Sequence, residues 1–215
     1  MEIKLEYESK IEKEQYLNDL KEIIINSKSS LEGNCFYHNG TLNLSSELYP
    51  KQLNLFWCGK QGPQKICEIG FNAGHSAMLL LLGSKPSTFT IFDIGHHSYS
   101  KPAFEYIQSK FTNTNFEYIE GDSTITVPKW INEHNELYSY DIVHVDGGHS
   151  DHCISNDMKH AHYLVKKNGI IIIDDTNFGS INKHVDLYLS TKKYIEVRVF
   201  KTYIYQHRII QKIIN

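Results

Sequence analysis

The chain has 215 residues, 40% hydrophobic and 22% charged, which suits one globular domain with a full core, and its net charge of −3 disfavours nucleic acid as the main ligand. Its four cysteines lack CxxC pairing, which argues against a zinc site or a disulfide framework and for a reducing compartment. The N-terminus, MEIKLEYESKIEKEQ, is charged and no run approaches the roughly 20 apolar residues of a membrane span, so the expected location is cytoplasmic.

Residues 1 to about 30 carry Ile11, Tyr16, Leu17, Leu20, Ile23 and Ile24 at helical spacing, which predicts one amphipathic helix. LEGNCFYHNGTLNLSS has turn chemistry and is expected to be a loop placed to fold over a pocket. Ser46 predicts the N-cap of a helix from Glu47 to about Gly59, with Pro50 in its first turn. These elements read as an N-terminal helical extension or lid over 1–62, ahead of a main domain over 63–215.

The stretch Lys65 to Leu82, KICEIGFNAGHSAMLLLL, reads as strand, glycine loop, helix. Gly70 and Gly74 let the backbone pass close to a ligand, the mark of a nucleotide-type cofactor site. The middle glycine of the dinucleotide fingerprint is replaced by Asn72, which disfavours a pyrophosphate. TFTIFDI predicts a second strand ending in Asp93, placed to accept hydrogen bonds from ribose hydroxyls. After the loop GHHSYSKP, in which His96, His97 and Tyr99 rank low as ligands, a helix is expected from Pro102 to about Phe111.

NFEYIEGDS predicts a third strand, closed by Asp122 and Ser123, and ITVPKWINEHNELYSY a short helix. YDIVHVDGGHSD gives a fourth strand ending in Asp146, His149 and Asp151, followed by a helix from about Ser150 to Lys166. NGIIIIDDT is a fifth strand tipped by Asp174 and Asp175. One more helix over NFGSINKHVDLYLS and two strands, KYIEVRVF and TYIYQHRII, meeting at a tight turn near Lys201 complete the chain. The fold class is α/β: a doubly wound, mostly parallel Rossmann-like sheet with an antiparallel C-terminal strand pair and N-terminal helices.

Ligands of such a sheet bind beyond the carboxyl ends of its strands, where Asp93, Asp122, Asp146, Asp174 and Asp175 gather. Carboxylates at that density repel unless a cation joins them, and hard oxygen ligands suit Mg²⁺, Mn²⁺ or Ca²⁺.

The pattern ExGxxxGxS resembles the first motif of class I S-adenosylmethionine-dependent methyltransferases. That resemblance implies a cofactor pocket lined by Glu68, Gly70, Asn72, Gly74 and Ser76, the ribose on Asp93, and the adenine edge at Asp122 and Ser123. DGGHSD followed by IIIIDD resembles the metal-dependent small-molecule O-methyltransferases, in their macrocin/cephalosporin-type and catechol-type branches. It implies Mg²⁺ or another hard divalent cation on Asp146, Asp174 and Asp175, with Asp146 also beside the cofactor and the reacting groups. The likeness spans about Ile66 to Thr176 and departs from the catechol type at His149, where those enzymes keep a lysine.

His149 is accordingly the expected base, since neutral imidazole accepts a proton near pH 7. His144 is set aside because strand alternation turns it away from Val143 and Val145, and His152 because it falls on the next helix. The expected activity is methyl transfer to a hydroxyl of a small molecule or sugar (EC 2.1.1.-). The alternatives are a nicotinamide-dependent oxidoreductase, disfavoured by Asn72, and a scaffold that binds cofactor without chemistry. The acceptor's identity is not legible, and oligomeric state is left open, a homo-oligomer included.

Overall fold

The computed structural model describes all residues except Met1, Ile11, Asn39, Tyr205 and Asn215, and only the backbone of Glu12. The apolar runs become β1 (Lys65–Ile69), β2 (Thr88–Asp93), β3 (Asn115–Glu120), β4 (Tyr140–Val145), β5 (Val165–Ile173), β6 (Tyr194–Val197) and β7 (Arg208–Lys212). They form one seven-stranded sheet in the order β3-β2-β1-β4-β5-β7-β6. β1 to β5 pair in parallel, and β7 runs antiparallel to both β5 and β6. Parallel neighbours need crossover connections, and these are helices.

The helices are α1 (Glu2–Glu8), α2 (Glu12–Ser27), α3 (Tyr49–Lys60), α4 (His75–Gly83), α5 (Ser100–Lys110), α6 (Ser123–His134), α7 (Asp151–Leu164) and α8 (Gly179–Ser190). Strand alternation divides the core in two. On one face Ile66, Phe89, Ile142 and Ile172 pack with residues of α2 to α5. On the other, Cys67, Val143, Val145 and Ile173 pack with residues of α6 to α8. Each face buries its own set of helices, and the strand tips between them are left for chemistry.

α3 lies close against α4. A Cβ on Gly59 would stand 2.3 Å from the Leu80 carbonyl oxygen, and one on Gly83 2.6 Å from that of Phe56. Only glycine admits this approach, and it fixes how closely α3 lies against α4.

Four expectations are corrected. The N-terminal helix is two helices interrupted at Ser9 and Lys10, because each half packs on a different partner. Tyr7 of α1 is buried and bonds Gln52 of α3, whereas Leu20 and Ile24 of α2 join the core beside α4 and α5. Ile11 lies outside the described residues. Ser46 is not an N-cap: a short 3₁₀ turn, Ser46–Leu48, leads into α3, and neither Ser45 nor Leu48 makes a side-chain cap hydrogen bond. α7 ends at Leu164 and β5 begins at once, Val165 pairing with Tyr140 before the register shifts to Ile142 and Ile170.

The last correction concerns β6 and β7, which are joined by residues 198–207 and not by a tight turn. Asn54 of α3 accepts from the Phe200 backbone N–H (2.9 Å) and donates to its carbonyl (2.8 Å), drawing that segment across to α3. No helix among the described residues is long and apolar enough to cross a membrane.

Candidate active site

The glycine loop between β1 and α4 is built as the sequence requires. Gly70 has φ +90°, and a Cβ there would lie 2.0 Å from the Asp146 carbonyl oxygen, so the loop after β1 touches the tip of β4. Gly74, with φ +75°, starts α4. Asp93 closes the loop from the neighbouring strand. Its Oδ2 accepts from the backbone N–H of Phe71 (2.8 Å) and Asn72 (2.9 Å), and its Oδ1 from Gly95 (2.8 Å). A carboxylate offers about four lone-pair positions, so Asp93 retains capacity for a ligand hydroxyl.

Beneath the loop, Glu68 is fully buried. Its Oε1 accepts from Ser76 Oγ (2.5 Å) and faces His144 Nδ1 (2.8 Å), while Oε2 has no protein partner. Glu68 and Ser76 thus brace the loop from below. Asn72 reaches the other way and donates to the carbonyls of Glu32 and Gly33, tying the segment before α3 onto the loop. Ser29 and Ser98 (Oγ to Oγ 2.7 Å) and Tyr99, whose hydroxyl accepts from the Glu32 N–H (3.3 Å), fasten the same segment to the loop after β2. The stretch expected to fold over a pocket crosses both loops. His96 and His97 stand near Glu32 there.

Asp122 caps α6, its side chain accepting from the Thr124 N–H (2.8 Å) and hydroxyl (2.8 Å), and Ser123 is the first residue of that helix. Both lie just past the C-terminal end of β3.

The structure brings Asp146 and Asp174 together and leaves Asp175 out. Consecutive residues at a strand tip face opposite ways. Asp174 follows Ile172 toward α3, while Asp175 turns to His149, its Oδ2 2.8 Å from Nε2. That contact, which outweighs burial, raises the imidazole above its ordinary pKa, and the His149 ring lies against Phe178 at 5.2 Å.

The third member of the inner cluster is His144, whose donor atom lies within 4.8 Å of those of Asp146 and Asp174. Alternation does turn His144 away from Val143 and Val145, but that is the face Asp146 shares. His144 Nδ1 is engaged by Glu68, and Nε2 is buried without a protein partner.

Lys51 completes the cluster. Its Nζ is 2.5 Å from Asp174 Oδ2, with side-chain exposures of 6% and 1%, so this is a dry ion pair. Burial alone would lower the lysine pKa, but Asp174 and Asp146 outweigh it and hold the ammonium above its usual range. Asp174 is correspondingly held below the usual carboxylate range against the effect of burial, chiefly by Lys51. Asp146 is pushed well above that range by burial and by Asp174. His207, buried beside the pair, is lowered to about 3 by burial and stays neutral.

Sequence reasoning passed over Lys51, yet the signal was present. Leu48, Lys51, Leu55 and Cys58 recur at helical spacing, and all four are buried. A lysine on an apolar stripe is held by an acid.

A parallel sheet with this strand order, an antiparallel seventh strand and a glycine loop tied to the acid of the second strand defines the class I methyltransferase architecture. Residues 67–176, just over half the chain, match the family model described as a methyltransferase domain, and the chain belongs to that family. Among solved structures it is similar to an O-methyltransferase from Bacillus cereus in complex with SAH (15% identity, TM-score 0.64, covering 93% of this chain and 90% of that one). It is also similar to the O-methyltransferase TomG of tomaymycin synthesis from Streptomyces achromogenes, in complex with SAM (13%, 0.66, 93% and 90%). A third is an SAH-bound methyltransferase from Podospora anserina (16%, 0.58, 79% and 80%). No curated protein sequence matches the chain.

Proposed function

We propose that this methyltransferase moves the methyl group of S-adenosylmethionine to a hydroxyl of a small molecule or sugar in a reducing, cytoplasmic setting. The observation that carries the reading is the glycine loop held by Asp93 directly beside Asp146. The SAH and SAM complexes of the structurally similar methyltransferases support the choice of donor. Residues 1–62 serve as the cover over the pocket, and 63–215 hold the cofactor.

In this reading the donor's amino-acid end lies along Gly70 to Gly74, above Glu68 and Ser76, with its ribose on Asp93 and its adenine near Asp122 and Ser123. The acceptor oxygen attacks the methyl carbon in line, the carbon–sulfur bond breaks, and its electron pair stays on sulfur. The proton leaves the hydroxyl for His149 Nδ1, the ring nitrogen not engaged by Asp175, and the imidazolium formed is stabilised by the Asp175 carboxylate at Nε2. Asp146 stands between donor and acceptor.

A divalent cation is a second reading, favoured by the converging donors of His144, Asp146 and Asp174. His144, with Nδ1 on a carboxylate and Nε2 free, has the arrangement usual for a metal-bound imidazole. Asp175 does not belong to this set, and one nitrogen donor suits Mn²⁺ or Fe²⁺ better than Mg²⁺. A metal there would polarise the acceptor hydroxyl. It would also have to compete with Lys51 for Asp174.

Two experiments test the reading. Asp93→Ala should weaken SAH binding by about 10- to 150-fold, the equivalent of 1.5–3 kcal/mol for hydrogen bonds to a charged group, in calorimetric titration. Unchanged affinity would remove Asp93 from the donor site. His149→Ala should slow single-turnover transfer by about 10²- to 10⁴-fold with donor affinity intact. Because Asp175 raises the imidazole pKa, the wild-type rate should climb with pH through a value above the ordinary histidine range. Asp175→Asn should move that climb to lower pH, and a profile that does not shift would exclude the pair as the base.

A further inference from the structure

We propose that Lys51 is the resident cation of the strand-tip cluster, occupying the place a divalent metal would take, so that this enzyme works without one. The inference deepens the reading above and relies on it for the purpose of the cation. The identity of the cation is a separate question that methyl transfer need not answer.

Geometry gives the first argument. Each oxygen of Asp174 already has a partner, Oδ2 the Lys51 Nζ at 2.5 Å and Oδ1 the backbone N–H of Asp175 at 2.8 Å, so a metal would have to share the carboxylate with the ammonium. The third expected ligand, Asp175, is committed to His149 on the other face. Around the ammonium and Asp174 stand Asp146, one residue past β4, His144 of β4, His207, one residue before β7, and the Cys35 thiol. A metal joining Asp146 to Asp174 would share a buried space with a fixed positive charge, and like charges at such range repel strongly in a dry interior.

The second argument is that Lys51 cannot easily withdraw. Its turn of α3 is pinned on three sides. Gln52 accepts from Tyr7 Oη of α1 (2.8 Å) and donates to the Cys35 carbonyl (2.7 Å). Asn54 holds the backbone of Phe200 and contacts His207 Nε2 at 2.8 Å. On α4 the close contact of Gly59 and Gly83 fixes the helix itself. A flexible surface lysine can be displaced by an incoming ion, whereas this one is part of the packing that joins the N-terminal helices to the sheet.

The test is Mn²⁺ binding to the full chain, followed by loss of the free-ion electron paramagnetic resonance signal. Wild type should bind no Mn²⁺ below about 1 mM, the range of a weak incidental site. Lys51→Met, with the carboxylates left uncompensated, should gain a site at least about tenfold tighter, and adding Asp174→Asn should remove it. Wild type taking up one Mn²⁺ per chain at micromolar concentration, with loss in His144→Ala, would overturn the proposal in favour of a metal. A folded Lys51→Met chain that gains no site would overturn it too, since the lysine would then not stand in a cation position. If Lys51→Met does not fold by circular dichroism, the wild-type titration decides alone. SAH binding measured on the same wild-type sample keeps the questions apart: failure there defeats the methyltransferase reading and leaves the cation assigned.

Discussion

Gly70→Ala is expected to unseat the site with a single methyl group. The residue needs φ +90°, and its new Cβ would meet the Asp146 carbonyl oxygen at 2.0 Å, far inside contact distance. The left-handed backbone costs roughly 1–3 kcal/mol in a non-glycine residue. Relieving the clash by moving the loop away from β4 adds roughly 1–3 kcal/mol more. The same displacement separates the glycine loop from Asp146, so transfer should fall by about 10²-fold or more even in chains that fold. Urea unfolding and steady-state kinetics measure the two effects separately. A Gly70→Ala enzyme with wild-type midpoint and rate would mean that loop and β4 do not touch in solution.

Asp174→Ala is the second large effect, and it acts through what it leaves behind. Removing the carboxylate strands the Lys51 ammonium in a site where both side chains are almost fully buried. Breaking a buried pair from one side costs roughly 3–5 kcal/mol, more than the pair contributes, because the remaining charge is uncompensated. The combination Lys51→Met with Asp174→Ala should therefore be more stable than Asp174→Ala alone. Urea midpoints of the two single variants, the double variant and the wild type measure this, and strictly additive losses would show that the two groups do not interact.

These effects arise at positions of unequal legibility. Strand, glycine loop and acid at the next strand tip were readable from Lys65 to Asp93, since each depends on local pattern and spacing. The doubly wound, mostly parallel character of the sheet followed because helices between parallel strands admit few topologies. The division of α1 from α2 was not legible, for it turns on which partner each half meets, α3 for Tyr7 and the core beside α4 and α5 for Leu20 and Ile24. The loop over 198–207 was hidden for the same reason: its anchor, Asn54, is far away in sequence.

The strand tips teach a narrower lesson. Asp174 and Asp175 look like one acidic pair in the sequence, but period-two alternation assigns them to different faces and partners, Lys51 and His149. The same rule, carried from Val143 and Val145 to Asp146, would have kept His144 in the site. Lys51 shows the limit from the other direction. Its apolar neighbours at helical spacing announce burial, but only the fold reveals that the acid opposite is Asp174, more than a hundred residues on.

The central claim is that the crevice beside Gly70, Asp93 and Asp146 receives an S-adenosyl donor, and calorimetric titration of the full chain with SAH tests it most directly. One site per chain, retained in excess EDTA and weakened by Asp93→Ala, is the predicted result. No heat with SAH while NADH binds, or SAH binding that Asp93→Ala leaves untouched, would contradict it.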